Sequence, residues 1–170
     1  VPLVGIEPSA ILSLRDEWKR LIDPERLEEL ESLNQRVYTI EEFLSLAYRN
    51  GEIGNDNFRK DPVRYHVHAH CHFKAQCEEN DIYHLMDIVP NAEVSRIPSG
   101  CCGMAGSFGY EKEHYDVSMK VGEQELFPYL RNIGKRDSVI ANGTSCRHQI
   151  EDALQIGALH PVEALWSMLK

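Results

Sequence analysis

Cys71, the adjacent pair Cys101 and Cys102, and Cys146 are the residues of this chain best suited to chemistry. Each lies just after a short apolar run with strand character and just before a helical pattern. Ends of parallel strands gather along one edge of a sheet, so thiolates at three such ends would converge. Soft sulfur ligands favour zinc or iron–sulfur clusters over hard cations. A ligating thiol must lose its proton, and a helix N-terminus assists that loss. The paired cysteines are the unusual element, because neighbours in extended backbone point to opposite sides. Both reach one centre only through a turn, and Gly100 and Gly103 supply the φ > 0 freedom that such a turn draws on. Gly106 and Gly109 would let backbone amides approach the sulfurs closely. Four buried core cysteines are the plain alternative, since free cysteine is among the most buried residue types. The coincidence of three strand ends weighs against it. Cys77 stands inside a helix, away from any strand end, and reads as a packing or surface residue.

His66, His68, His70 and His72 alternate along one face of the strand that leads to Cys71. As zinc ligands they would need a second cluster opposite, and none is visible. They read as structural residues or as supports behind the ligands rather than as ligands, and more firmly so for His66 and His68 than for His70 and His72. The series Gly100, Gly103, Gly106 and Gly109 is not the G-x-G-x-x-G fingerprint, no acidic residue follows where a dinucleotide site needs one, and no Lys-Ser/Thr follows for a P-loop. A single nucleophilic cysteine has no use for a neighbour set between glycines, which argues against a cysteine protease.

The elements that must position these residues alternate. Val1 to Ile6 is apolar and β-prone. Helical spacing follows Ser9 through Leu14, Trp18, Leu21 and Ile22; a second helix starts at Asp23-Pro24 and runs to about Asn34. Thr39-Ile40-Glu41-Glu42 is a capping box opening a third helix, which stops near Asn50-Gly51. Tyr65 to His72 alternates as a strand. A helix over roughly Phe73–Ile88, a strand over Ala92–Ile97, a long helix over Glu111–Arg131, a strand over Ser138–Ala141 and helices after Cys146 and His160-Pro161 complete the order. Strands alternating with helices predict an α/β fold, a Rossmann-like parallel sheet of about four strands with helices on both faces. Ligands to such sheets bind beyond the carboxyl ends of the strands. Those ends are Glu7-Pro8-Ser9, His70-Cys71-His72, Gly100-Cys101-Cys102-Gly103 and Gly143-Thr144-Ser145-Cys146.

At 170 residues with 42% apolar and 26% charged residues, composition fits one globular domain over residues 1–170. The formal charge of −9 and the lack of a Lys/Arg cluster argue against nucleic acid as a partner. No run approaches the ~20 apolar residues of a membrane span. Five cysteines is an odd count and not a disulfide framework, which fits a reducing cytoplasm. The start at Val1, without methionine and directly in an apolar run, is what a piece of a longer polypeptide would show.

Three segments together resemble the cysteine-rich CCG domain: His70-Cys71-His72, then Gly100-Cys101-Cys102-Gly103-Met104-Ala105-Gly106-Ser107-Phe108-Gly109-Tyr110-Glu111, then Asn142-Gly143-Thr144-Ser145-Cys146-Arg147-His148-Gln149. Gly5-Ile6-Glu7-Pro8-Ser9 resembles that domain's first strand end. The domain occurs in heterodisulfide reductase, in the iron–sulfur subunits of glycolate oxidase and anaerobic glycerol-3-phosphate dehydrogenase, and at the C-terminus of large FAD-linked oxidases. The segments around Cys101 and Cys146 are most similar to those fused oxidases, which resemble D-lactate and D-2-hydroxyglutarate dehydrogenases.

That resemblance implies a parent that oxidises a 2-hydroxy acid at FAD. Electrons would pass through ferredoxin-type clusters to this domain and on to an acceptor. It implies an upstream FAD domain, a ferredoxin-type domain and a second CCG unit as partners, a cytoplasmic location or one at the inner membrane surface through the parent, and no activity for this segment alone. Two positions depart from the family pattern: Gln149 where a second cysteine often follows Cys146, and Ala10 where a cysteine often follows Glu7-Pro8-Ser9. Four cysteines remain, enough for a [4Fe–4S] centre or a tetrahedral zinc. The expected ligands are Cys71, Cys101, Cys102 and Cys146. Glu7, His70, His72, Lys74, Gly103, Arg147 and His148 are expected around them, tuning the centre or meeting an acceptor. A structural zinc module with the same ligands, and a redox couple of Cys101 with Cys102, are the rival readings. Strain in a disulfide between neighbours disfavours the second of these.

Overall fold

The computed structural model describes all residues, Val1–Lys170. Its main sheet has four parallel strands in the order β4-β3-β5-β6, where β3 is Val63–His68, β4 Ala92–Arg96, β5 Ser138–Ala141 and β6 Ala158–Leu159. Tyr65 and Val67 of β3 point into one core with Phe73, Leu85, Ile140 and Leu165, which is capped by α5 (Cys71–Gln76), α6 (Asn80–Met86) and α10 (Pro161–Met168). The opposite face carries Val139, Ala141, Leu126, Phe127, Leu130 and Ile150, contributed in part by α8 (Leu126–Leu130) and α9 (Thr144–Leu154). Helices therefore cover both faces, as a sheet of buried parallel strands requires.

The chain leaves β3 for β4 on one side, then crosses back to place β5 on the other. Register pairs His68 with Ala141 and Val67 with Arg96, so these three strands end at one level. The gap between the ends of β3 and β5 is the point where strand order reverses, the place where open α/β sheets bind ligands.

Several sequence expectations are corrected. The first strand, β1 (Leu3–Gly5), does not join the main sheet; it pairs in parallel with β2 (Val37–Thr39) in a separate two-stranded sheet. The fourth main strand is instead β6. β2 and β6 have three and two residues, too few to show a period. The strand through Cys71 stops at His68, because the His70 ring accepts a hydrogen bond from His72 N and caps α5. The helix over Phe73–Ile88 is α5 and α6, divided at the extended Cys77. The helix over Glu111–Arg131 is α7 (Tyr115–Gly122) followed by α8. Pro128 sits in the first turn of α8, where its missing N–H has no partner to lose. The first expected helix is α1 (Pro8–Ile11), a 3₁₀ turn and α2 (Trp18–Leu21); α3 (Leu27–Asn34) and α4 (Ile40–Arg49) follow.

The capping box of α4 forms as the sequence indicates, with Glu42 N bonded to Thr39 Oγ1 and Thr39 N to Glu42 Oε2. The neighbouring Glu41 is fully buried at the seam between the two sheets. Neither of its oxygens has a hydrogen-bond partner, and His160 Nε2, which donates to Ile6 O, stands 3.5 Å away. Burial pushes the Glu41 carboxyl up to about 7. The folded chain therefore holds this proton more tightly than the unfolded one, and stability falls as pH rises between about 4.5 and about 7, by about 3 kcal/mol in total. Urea unfolding at pH 5 and pH 8 should show that loss in the wild type and little of it in Glu41→Gln. Parallel pH profiles for the two proteins would contradict the assignment.

Candidate metal centre

Cys71 opens α5 directly beyond β3. Asn142, just beyond β5, accepts a hydrogen bond from His70 N at 2.8 Å and ties the two strand ends together. Beyond β4 the chain turns through Gly100–Gly103, and Lys74 Nζ holds that turn by donating to Ser99 O and Gly100 O. Gly103 has φ +97°, and a Cβ there would stand 2.1 Å from Ser118 O of α7. Its N–H donates to Cys101 Sγ at 3.3 Å. Gly100, contrary to expectation, is not in the left-handed region; Gly103 and Gly106 are. Gly109 is needed for close packing, since a Cβ would meet Ser118 Oγ at 2.4 Å.

Cys146 lies in the first turn of α9, which starts after Gly143. A Cβ on Gly143 would collide with His70 Cδ2 at 2.3 Å, so this glycine lets the β5–α9 turn sit against the end of β3. One turn on from Cys146, the buried Gln149 amide donates to Cys102 O at 3.1 Å and Ser118 Oγ at 2.9 Å, clamping the paired-cysteine turn between α7 and α9.

These ties bring the four thiols into a continuous line: Cys71 contacts Cys101, Cys101 contacts Cys102, and Cys102 contacts Cys146. All are free. Cys102 and Cys146 are buried, whereas Cys71 and Cys101 are half-buried at the rim. His68, expected to be structural or a support behind the ligands, completes the buried end: a ring nitrogen of His68 and the sulfurs of Cys102 and Cys146 lie within 4.8 Å of one another. Hydrogen bonds from neighbouring thiols pull Cys101 and Cys146 well down, while donation to those neighbours, reinforced by burial, pushes Cys71 and Cys102 up. A soft cation entering here replaces thiol protons, as thiolate ligation demands. The donor set fits zinc or an iron–sulfur cluster.

The other expected residues divide. Glu7 does not touch sulfur; its Oε2 accepts from Thr144 N at 2.8 Å, and although burial opposes its charge, that N–H and Ser9 hold the carboxyl below its ordinary value. It reaches α9 from the separate small sheet. Arg147 donates to Ala141 O and Thr144 Oγ1, securing the β5–α9 turn. His70 caps α5 beside Cys71, its Nδ1 4.0 Å from Cys71 Sγ, and burial lowers its basicity. His72 packs edge-on against His70. His148 lies outside the thiols, bonded to Tyr110 OH at 2.6 Å. Cys77, at the break between α5 and α6 rather than inside a helix, is partly buried against the core near Arg15 and Glu42, with its thiol pushed up to about 12 by burial. Sequence reasoning missed His68 as a donor and Ser118 as a packing partner, and it named Asn142 and Gly143 only as members of the segment around Cys146, without their ties to His70. His68 carried a usable signal, three residues before Cys71 at the end of its strand.

Two clefts frame the centre's surroundings. One of about 620 Å³ opens onto Cys71 and is lined by Lys74, Arg96, Ser99, Gly100 and Glu125. A more apolar one, between Trp18, Leu21, Leu30 and Leu33, lies on the N-terminal helices and contains none of the thiols.

No family model matches the chain, and no solved structure matches it. Among curated proteins, D-2-hydroxyglutarate dehydrogenase of Escherichia coli (strain K12) is 26% identical over 171 residues, which cover 100% of this chain and 16% of that protein. The protein of the same name from Haemophilus influenzae is 29% identical over 180 residues, again 100% of this chain and 16% of the relative. One subunit of the anaerobic glycerol-3-phosphate dehydrogenase of Escherichia coli (strain K12) is 25% identical over 165 residues, 97% of this chain and 40% of the relative. The chain thus spans about a sixth of the first two and two fifths of the third. Two kinds of protein named from the cysteine segments recur among these relatives.

Gly103→Ala tests the turn. Left-handed strain of about 1–3 kcal/mol, together with the clash on Ser118, should displace the paired cysteines and raise the reaction rate of Cys102 with a thiol reagent in the metal-free protein. Gly100→Ala, which faces open space, should leave that rate unchanged. Equal rates in both variants would contradict the assignment.

Proposed function

We propose that this chain is a CCG-type domain of a larger FAD-linked dehydrogenase acting on a 2-hydroxy acid, and that Cys71, Cys101, Cys102 and Cys146 hold a [4Fe–4S] cluster in its electron-transfer path. The observation that carries this reading is the convergence of four thiols from three strand ends at the reversal point of the sheet. The relatives' names supply the redox context. When bound, such a cluster supplies one-electron transfer.

The chain's own residues do the rest. Cys102, Cys146 and His68 shut water out of the inner half, and the amide of Gly103 donates to Cys101 sulfur. Gln149 and Lys74 fix the loop from which the paired thiols project. Cys71 and Cys101 are half-buried, and Cys71 lines the cleft bounded by Lys74 and Arg96. This is the side from which a partner would exchange electrons with the centre. On this reading the partners are the parent's FAD and ferredoxin-type domains, a second CCG unit and an electron acceptor, and the location is the cytoplasm or the inner membrane surface through the parent. No helix of this chain is long and apolar enough to cross a membrane.

A second reading, a structural zinc, is favoured by one observation: the buried donors lie within 4.8 Å of one another. A tetrahedral ion with ~2.3 Å sulfur bonds sets its sulfurs about 3.8 Å apart. A cubane interposes four irons and spreads its thiolates more widely.

Anaerobic preparation followed by iron, zinc and acid-labile sulfide analysis separates the two. The cluster reading expects about four irons and four sulfides per chain with visible absorption, all lost in Cys102→Ser and Cys146→Ser and retained in Cys77→Ser. About one zinc per chain with no redox response supports the second reading. Absence of both metals under reconstitution would contradict the centre itself.

A further inference from the structure

His68 closes β3 at 1% exposure, on the face of the strand that also carries His66. The two histidines are treated differently. His66 has both ring nitrogens engaged, Nδ1 with Tyr129 OH at 2.9 Å and Nε2 with Asp137 Oδ2 at 3.1 Å. His68 has only Nδ1 engaged, with Ser99 Oγ at 2.8 Å; its Nε2 is buried without a partner. A buried polar nitrogen left unpaired costs about 1–3 kcal/mol. A ring nitrogen of His68 and the sulfurs of Cys102 and Cys146 fall within 4.8 Å of one another. Around a single ion with ~2.3 Å sulfur and ~2.0 Å nitrogen bonds, donors stand about 3.5–3.8 Å apart, so closure requires movement of at most about 1 Å.

We propose that His68 is a direct nitrogen ligand of the centre, through Nε2, and that Ser99 is its positioning residue. This rests on the metal-centre reading above and holds for either metal. The arrangement has the parts of a ligating histidine: one ring nitrogen free toward soft donors, the other fixed by a hydrogen bond that sets tautomer and ring orientation. Ser99 is itself held, because its carbonyl accepts from Lys74 Nζ. The same lysine that pins the paired-cysteine turn thus also steadies the imidazole's partner. The inner half of the site becomes Cys102, Cys146 and His68, and one rim thiol, Cys71 or Cys101, completes a four-donor set in which the imidazole stands in for the other thiolate. Replacing a thiolate by a neutral imidazole leaves the centre less negative, which in a redox cluster raises the potential.

The test uses the full chain with 15N-labelled histidine and Zn(II) as the probe, in reducing buffer, with zinc affinity measured by chelator competition. One equivalent of zinc should move the His68 Nε2 resonance and leave His66 unchanged. Ser99→Ala should weaken zinc by about 10–100-fold. His68→Asn, which keeps an amide toward Ser99, should weaken it more while circular dichroism reports an intact fold. Tight zinc binding with an unmoved His68 Nε2, or with His68→Asn at wild-type affinity, overturns the proposal and leaves the thiolate centre standing. No zinc binding by the wild type overturns both together.

Discussion

Four sulfurs in one line of contact, two of them closed off from solvent, cannot all carry charge without a cation. Two unit charges 4 Å apart repel by about 4 kcal/mol at an effective dielectric of ~20. Without a cation the neighbouring thiols act against one another, Cys101 and Cys146 being pulled down and Cys71 and Cys102 pushed up. A soft cation removes the conflict by replacing the protons. Everything else near the centre is a device for keeping these sulfurs in contact despite that repulsion.

The devices are mostly not sulfur. The parallel sheet brings three strand ends to one level, and its reversal between β3 and β5 leaves room there. Asn142 locks β5 to β3 through His70 N, and Gly143 removes the side chain that would have forced them apart. Gly103 lets the paired cysteines turn against α7, and Gln149 clamps the same turn from α9. Glu7 contributes from outside the sheet, where its carboxylate meets the free N–H of Thr144 at the start of the helix that bears Cys146. The small β1-β2 sheet is thereby fastened to the centre as well as to the seam beneath Glu41.

What the sequence disclosed and what it concealed follow from range. Cysteines at strand ends are a local pattern, and the parallel sheet follows from alternation of strand and helix, so both were legible. β2 and β6 are held by neighbours and have no pattern of their own. The breaks at Cys77 and after Gly122 arise from tertiary packing, Gly122 because Phe127 lies where its Cβ would be, 2.3 Å away. Glu41 looks like a polar first-turn residue of a capped helix, and nothing local announces that a second sheet buries it. His68 was concealed by its own regularity: four alternating histidines look like one class, yet His66 and His68 lie in the strand, His70 caps a helix and His72 belongs to it.

X-ray absorption at the edge of whichever metal the anaerobically loaded chain retains tests the central claim most directly. The account predicts a first shell dominated by sulfur at about 2.3 Å. A shell of oxygen and nitrogen alone, with the cysteines still free thiols, would contradict it.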